Sequence, residues 1–188
     1  MKITGILLAA GSGSRFGGGK LLHPLPDGTP IGVASLRNLK SALPDVLVVV
    51  RNGDDELREV MQRENVPVLV CDDAHLGMAR SLVCGIHAAA GAGGWVIALG
   101  DMPYLSAPTI AAVAAAIAKG ASIAIPEYRG QRGNPVGLSA CHEEELLSLQ
   151  GDEGARALVR RNAADVEIVA CDDPGILRDV DRKEDLPG

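Results

Sequence analysis

The sequence predicts an α/β fold in three layers, with a mostly parallel sheet between two layers of helices and a hairpin late in the chain. Three observations carry this expectation. Short apolar runs alternate with helical stretches over the first two thirds of the chain. The runs are apolar throughout rather than every second residue, as in strands buried on both faces of a parallel sheet. From Glu127 to Pro135 the rhythm breaks into a polar, Gly-rich segment, which reads as a loop or hairpin rather than a crossover.

The first run, Ile3–Ala9, is apolar apart from Thr4 and Gly5. Val46–Val50, Val66–Cys71, Trp95–Leu99 and Ser122–Ile125 follow as further strands, with Val166–Ala170 and Ile176–Val180 as late ones. Between them, Ile31–Ala42 follows Pro30, which suits a helix start. Asp54–Glu64 has Asp54 or Asp55 as its N-cap and apolar positions at Leu57, Val60 and Met61. Arg80–Ala90 and Pro108–Lys119 are Ala-rich; Ser106 suits the cap of the second, and Gly120 its C-terminus. Cys141–Leu149 and Gly154–Arg161 complete the helices. With no repeat, linker or boundary in view, residues 1–188 read as one domain of Rossmann-like α/β/α architecture.

Composition narrows the function. Hydrophobic residues make up 47% of the chain, which excludes intrinsic disorder. Aromatics are 2%, so the core rests on Val, Leu, Ile and Ala, and the stacking platforms of single-strand nucleic-acid binders are missing. The net charge of −6, with no dense basic patch, argues against a nucleic-acid partner. Cys71, Cys84, Cys141 and Cys171 form no C-x-x-C pair and read as buried free thiols. The first apolar run is too short to span a membrane and lacks a signal-peptide layout, so the expected location is cytoplasmic.

The chemistry concentrates where the first strand ends, in the stretch from Leu8, Ala9 and Ala10 through Gly11, Ser12, Gly13, Ser14 and Arg15 to Lys20. Glycines let backbone N–H groups converge on an anion, and Arg15 and Lys20 add positive charge, which suits a triphosphate. A Walker A loop fails at both ends: Leu21 follows Gly19-Lys20, and Ser14 stands where its first glycine belongs. A dinucleotide fingerprint fails at its third glycine, where Phe16 stands.

This loop resembles the L-A-A-G-x-S-x-R-[FM]-G-x-x-K signature of the nucleotidyltransferases that mature the molybdenum cofactor. The resemblance continues, in order, through Gly77-Met78-Ala79-Arg80-Ser81-Leu82, Leu99-Gly100-Asp101-Met102-Pro103, Arg132-Gly133-Asn134-Pro135-Val136, Gly151-Asp152-Glu153-Gly154-Ala155-Arg156 and Asp179-Val180-Asp181. Ala9-Ala10-Gly11 is similar to the cytidylyltransferase branch, whereas the guanylyltransferase branch more often has Ala-Gly-Gly. The resemblance implies a nucleotidyltransferase fold and transfer of CMP from CTP to molybdopterin carrying molybdenum, giving molybdopterin cytosine dinucleotide and pyrophosphate. It also implies a molybdoenzyme apo-protein or its chaperone as a downstream partner. Two departures stand out: Arg182 replaces the usual Thr, and Arg80 sits where small polar residues are common.

Asp101 ends an apolar strand, at the edge where open α/β sheets bind ligands, and is the expected Mg²⁺ ligand. Asp181 is its expected companion; Asp179 would share its face if both lay on a strand. Gly77 and Ser81 join Leu8, Ala9, Ala10 and the loop as the nucleotide set. Arg132, Asn134 and Arg156 are assigned to the acceptor, although Arg132 and Asn134 also suit a surface turn and Arg156 plain solvent. Asp152 precedes a helix and suits a cap. Lys20, Arg15 and Asp101 are the expected catalytic residues, acting on an in-line attack without a covalent intermediate. His23, His75, His87 and His142 have no evident partner, and no Ser-His-Asp or Cys-His arrangement is legible. Rival readings are a transferase using GTP or a sugar phosphate, an NAD(P)-dependent oxidoreductase, and a non-catalytic molybdopterin carrier.

Overall fold

The computed structural model describes residues 1–11, 13, 16–151 and 153–186. The strands are β1 (Ile3–Ala9), β2 (Asp45–Arg51), β3 (Val68–Cys71), β4 (Gly94–Leu99), β5 (Ile123–Tyr128), β6 (Gln131–Arg132), β7 (Val136–Ser139) and β8 (Val166–Ala170). The α-helices are α1 (Ile31–Ala42), α2 (Asp55–Gln62), α3 (Met78–Ala88), α4 (Ala107–Ala118), α5 (Glu143–Leu147) and α6 (Ala155–Arg161). One sheet runs in the order β3-β2-β1-β4-β7-β5, with β6 and β8 both pairing with β5. β1 to β4 are mutually parallel, β7 is antiparallel to β4 and β5, and β8 is parallel to β5.

Both faces of the central strands β1, β2 and β4 are covered, which is why residues 6–9, 46–50 and 95–99 are apolar without interruption. Leu7, Val48, Val50, Val96 and Ala98 point into a core covered by α1, α2 and α4. Ile6, Val49, Trp95 and Ile97 point the opposite way, into a core covered by α3, α5 and α6. The three-layer expectation holds.

The late hairpin forms between β5 and β6, turning through Arg129 and Gly130, both with positive φ, as a two-residue hairpin loop requires. α4 ends as expected at Gly120: the Ala121 N–H donates to the Ala116 carbonyl at 3.1 Å and closes the helix. The structure departs from the sequence expectations at several points. Ile176–Val180 is not a strand; a short 3₁₀ turn spans Pro174–Leu177, because Pro174 and Gly175 start a turn and the Asp173 carboxylate accepts from the Gly175 N–H at 2.9 Å. Val136–Ser139 is a strand that the sequence did not announce, slotted between β4 and β5. Asp54 and Ser106 occupy cap positions but make no side-chain cap bond: Asp54 pairs with Arg51 at 3.5 Å, and the Ser106 hydroxyl donates to Asp173 at 2.7 Å. α3 starts at Met78 with Gly77 as its cap, two residues ahead of the expected start at Arg80. The four cysteines are free, but of them Cys71 is buried, Cys84 and Cys171 are half-buried and Cys141 is exposed. No described helix is long and apolar enough to cross a membrane. Asp152 lies outside the described residues.

Candidate active site

β1 and β4 are neighbours, but the chain leaves β1 toward β2 on its other side. This is the switch point at which an open α/β sheet leaves a crevice beyond its carboxyl ends. Leu8 and Leu99 are register partners at that edge, and the Gly100 N–H donates to the Leu8 carbonyl at 2.9 Å. The turn after β4 is tied to α1 by two side chains. Ser35 Oγ donates to the Gly100 carbonyl at 2.9 Å, and Asn38 Nδ2 to the Pro103 carbonyl at 3.0 Å. Asp101 therefore sits on a braced turn.

In the loop after β1, Gly13 takes a φ of 58°, a left-handed conformation that favours glycine. Its carbonyl accepts from the Phe16 N–H at 3.0 Å. Phe16 is buried against the edge of the His23 ring, with centroids 5.1 Å apart, and Leu21 plugs into the core beside it. Lys20 begins a one-turn 3₁₀ helix between these two anchors.

Lys20 Nζ donates to Asp101 Oδ2 at 2.7 Å and to Asp181 Oδ1 at 3.2 Å. The Lys20 side chain is only 11% exposed. Burial works against its charge, but hydrogen bonding and attraction from Asp101, and then from Asp181, outweigh it and hold the ammonium above the usual lysine value. The other carboxylate oxygen, Asp101 Oδ1, is buried with no hydrogen-bond partner among the described residues. Such an atom is costly unless a ligand satisfies it. Asp181 reaches the cluster because the Val180 N–H donates to the Asp101 carbonyl at 2.8 Å while the Val180 side chain is buried in the core. Asp179, off any strand, lines a different cavity, so the expected shared face does not exist.

Two cavities meet at the Leu8–Leu99 wall. The first, about 650 Å³, is lined by Leu8, Ala10, Gly11, Gly13, Lys20, Gly77, Ser81 and Asp101. Ala9 is the exception in the expected nucleotide set: its side chain is 1% exposed and faces the core, since neighbouring residues on a strand face opposite ways. Ser12, Ser14 and Arg15 lie outside the described residues. Asn52, Gly53, Asp72 and His75 also line this cavity, although the sequence reading did not single them out. Their signal was position, since they follow the carboxyl ends of β2 and β3.

The second cavity, about 740 Å³, is lined by Arg132, Asn134 and Arg156, together with Arg160, which the sequence reading did not single out. Asn134 is 5% exposed and partly committed to the fold: its Nδ2 donates to Met102 Sδ at 3.2 Å and its N–H to the Ile176 carbonyl at 3.0 Å. His142 has partners after all. Ser122 Oγ lies 2.7 Å from its Nε2, and Glu145 Oε2 3.6 Å from its Nδ1. None of these three lines either cavity. The Glu145 carboxylate is also bound by Arg161 at 2.9 Å and Asn162 at 3.0 Å, so the constellation ties α5 and α6 to β5 rather than activating a nucleophile.

The chain is similar in sequence and fold to known proteins. The model of the MobA-like NTP transferase domain matches residues 5–177. The purine catabolism protein PucB of Bacillus subtilis is 34% identical over 194 residues, covering 97% of this chain and 93% of that protein. The nicotine blue oxidoreductase of Paenarthrobacter nicotinovorans is 29% identical over 193 residues, covering 98% and 94%. The crystal structure of Rv0371c from Mycobacterium tuberculosis superposes with a TM-score of 0.85 at 28% identity, covering 98% of this chain and 95% of that one. Its complex with manganese gives 0.81 at 27% identity, covering 98% and 96%. The chain belongs to the MobA-like NTP transferase family.

Proposed function

We propose that the chain is a divalent-metal-dependent nucleotidyltransferase that moves CMP from CTP to the phosphate of molybdenum-loaded molybdopterin, releasing pyrophosphate. The observation that carries this reading is the Lys20–Asp101–Asp181 cluster, of which Lys20 and Asp101 line the first cavity, next to a second cavity that shares its Leu8 and Leu99 wall. Each cavity is large enough for a small molecule, and the wall they share is the Leu8–Leu99 pair of strand ends with Met78 beside it.

The nucleotide occupies the first cavity and the acceptor the second. Gly11 and Gly13 bring backbone close to the triphosphate, and Lys20 offsets its negative charge. Arg15, from the same loop, is assigned the same task. Gly77 and Ser81, in the first turns of α3, face the nucleotide. Asp101 and Asp181 would hold Mg²⁺, since the ion usually takes one or two protein carboxylates and completes its shell with phosphates and water. The orphaned Asp101 Oδ1 fits that role, and the manganese complex of Rv0371c supports it. When bound, the ion neutralises charge building on the leaving pyrophosphate. Arg132, Asn134 and Arg156 orient the acceptor. An oxygen of the acceptor phosphate attacks the α-phosphorus in line; the new P–O bond forms as the bond between the α-phosphorus and its bridging oxygen breaks. No covalent enzyme intermediate is needed, so positioning and charge supply the rate. CTP is preferred on Ala10, which lines the first cavity in the Ala-Ala-Gly form of the loop.

Pyrophosphate release from CTP, GTP, ATP and UTP, with Mg²⁺ and molybdenum-loaded molybdopterin, tests the proposal. CTP turnover is expected, reduced about a hundredfold or more by Lys20→Ala and by Asp101→Ala, the scale of losing a preorganised charge contact. Faster turnover with GTP overturns the choice of nucleotide. No turnover with any of them overturns the transferase reading, and tight metal-independent NADPH binding would instead place the chain beside its oxidoreductase relative.

A further inference from the structure

The second cavity carries a charge pattern that the acceptor assignment does not exhaust. Three arginines line it, Arg132 from β6 and Arg156 and Arg160 from α6, against two acids, Glu153 and Asp179. Arg156 and Arg160 are one helical turn apart, so their side chains lie side by side. Like charges at that spacing repel in an empty site. None of the three guanidiniums makes an ion pair or hydrogen bond among the described residues. Arg161, one residue on, is the contrast: it is held by Glu145 at 2.9 Å and Glu153 at 3.3 Å. Glu153 is thereby already partnered outside the arginine pair. In a chain of net charge −6, three exposed arginines over one cavity, unpartnered among the described residues, mark an anion site. The accessible apolar lining is Leu8 and Leu99 at the strand ends with Met78 and Leu177, while Ile97, Val136, Met102 and Ile176 close the cavity from behind with almost no exposed surface.

We propose that Arg156 and Arg160 form a two-arginine clamp for a phosphate monoester with an apolar body, and that Arg160 decides the affinity for that phosphate. Planar guanidiniums meet phosphate oxygens in pairs of hydrogen bonds, and two neighbouring ones match a dianion. Leu8, Leu99, Met78 and Leu177 offer apolar surface to the body of such an ester. This deepens the transferase reading, which supplies the role of the bound phosphate as attacking group, but the binding itself does not depend on turnover.

Riboflavin 5′-phosphate is the probe, with riboflavin as its phosphate-free control, both followed by flavin fluorescence on titration with protein. The wild-type chain is expected to bind the phosphate ester at least tenfold more tightly than riboflavin. Arg160→Ala is expected to lose about tenfold in affinity for the ester, the scale of a charged hydrogen-bonded contact, and nothing for riboflavin. Arg160→Lys should fall between, because an ammonium keeps the charge and loses the paired geometry. Arg160 is exposed, so circular dichroism of both variants should match wild type. Equal binding of the ester by wild type and Arg160→Ala overturns the clamp, and so does a wild type that does not discriminate the ester from riboflavin. Persistent discrimination in a protein that releases no pyrophosphate from any nucleotide supports the clamp and rejects the transferase reading.

Discussion

Replacing Asp173 with alanine removes one acceptor and leaves four donors behind. Asp173 Oδ2 accepts from the Ser106 N–H at 3.0 Å, the Ser106 hydroxyl at 2.7 Å and the Thr109 hydroxyl at 2.8 Å, while Oδ1 accepts from the Gly175 N–H at 2.9 Å. The two hydroxyls lie 3.0 Å apart and can turn toward each other. The two backbone N–H groups cannot, so they set the loss. Hydrogen bonds to a charged acceptor contribute about 1.5–3 kcal/mol each and do not simply add, so a loss of about 3 kcal/mol is expected. In a chain of this length that lowers Tm by about 6–12 °C. Asp173→Asn should recover about half, because its carbonyl still accepts but its amide confronts a donor. The pH dependence has a definite sign. Burial pushes the Asp173 carboxyl up, but the Ser106, Thr109 and Gly175 donors outweigh it and hold it below the usual carboxylate value. The stability Asp173 confers is therefore complete above its unfolded value, about pH 4, and is lost as pH falls through its lower folded value. Urea unfolding of wild type and Asp173→Ala at pH 7, 5 and 3.5 checks this. A gap under about 1 kcal/mol at pH 7, or one that does not narrow in acid, refutes the reasoning.

Gly175→Ala should destabilise by about 2 kcal/mol or more in the same assay, because its Cβ would stand 2.1 Å from the Tyr104 carbonyl oxygen, a backbone atom that cannot swing aside. Gly11→Ala should leave stability unchanged, since its Cβ meets nothing within 4 Å, yet weaken CTP binding by titration because the new methyl enters the first cavity. With a disulfide reagent at pH 8, the exposed Cys141 should react fastest; Cys84, pushed up to about 11 by burial and by Cys71 and Asp72, should lag well behind, and the reverse order would contradict the structure.

The central strands and first helices were legible because each is a local statement. Ile3–Ala9 and Ile31–Ala42 have the same ends in sequence and structure, as both faces of the strand and one face of the helix must be apolar. β7 was not legible: Val136–Ser139 is short, begins beside Pro135 and becomes a strand only through its antiparallel partners β4 and β5. Ile176–Val180 misled because its apolar residues pack singly into the core from a turn, rather than through a ladder. Within the site, Gly11, Lys20 and Asp101 stood out by type and position. That Lys20 touches Asp101 and Asp181, 81 and 161 residues away, follows only from the strand order. Arg160 escaped notice for the same reason, since nothing in an Arg160-Arg161 pair tells which arginine turns to a cavity and which to Glu145.

The wall between the two cavities is Leu8 against Leu99, a pairing fixed by the ladder between β1 and β4. A slip of one residue there would turn every side chain of a buried strand around, so the core forbids it. In the proposed transfer, the spacing of the two cavities is thus an inheritance of the sheet, while the residues assigned to the acceptor stand on β6, α6 and the loop after β6. Such a scaffold can exchange one acceptor for another without remeasuring the reaction. Relatives bearing names as different as a purine catabolism protein and a nicotine blue oxidoreductase are what that freedom would leave behind.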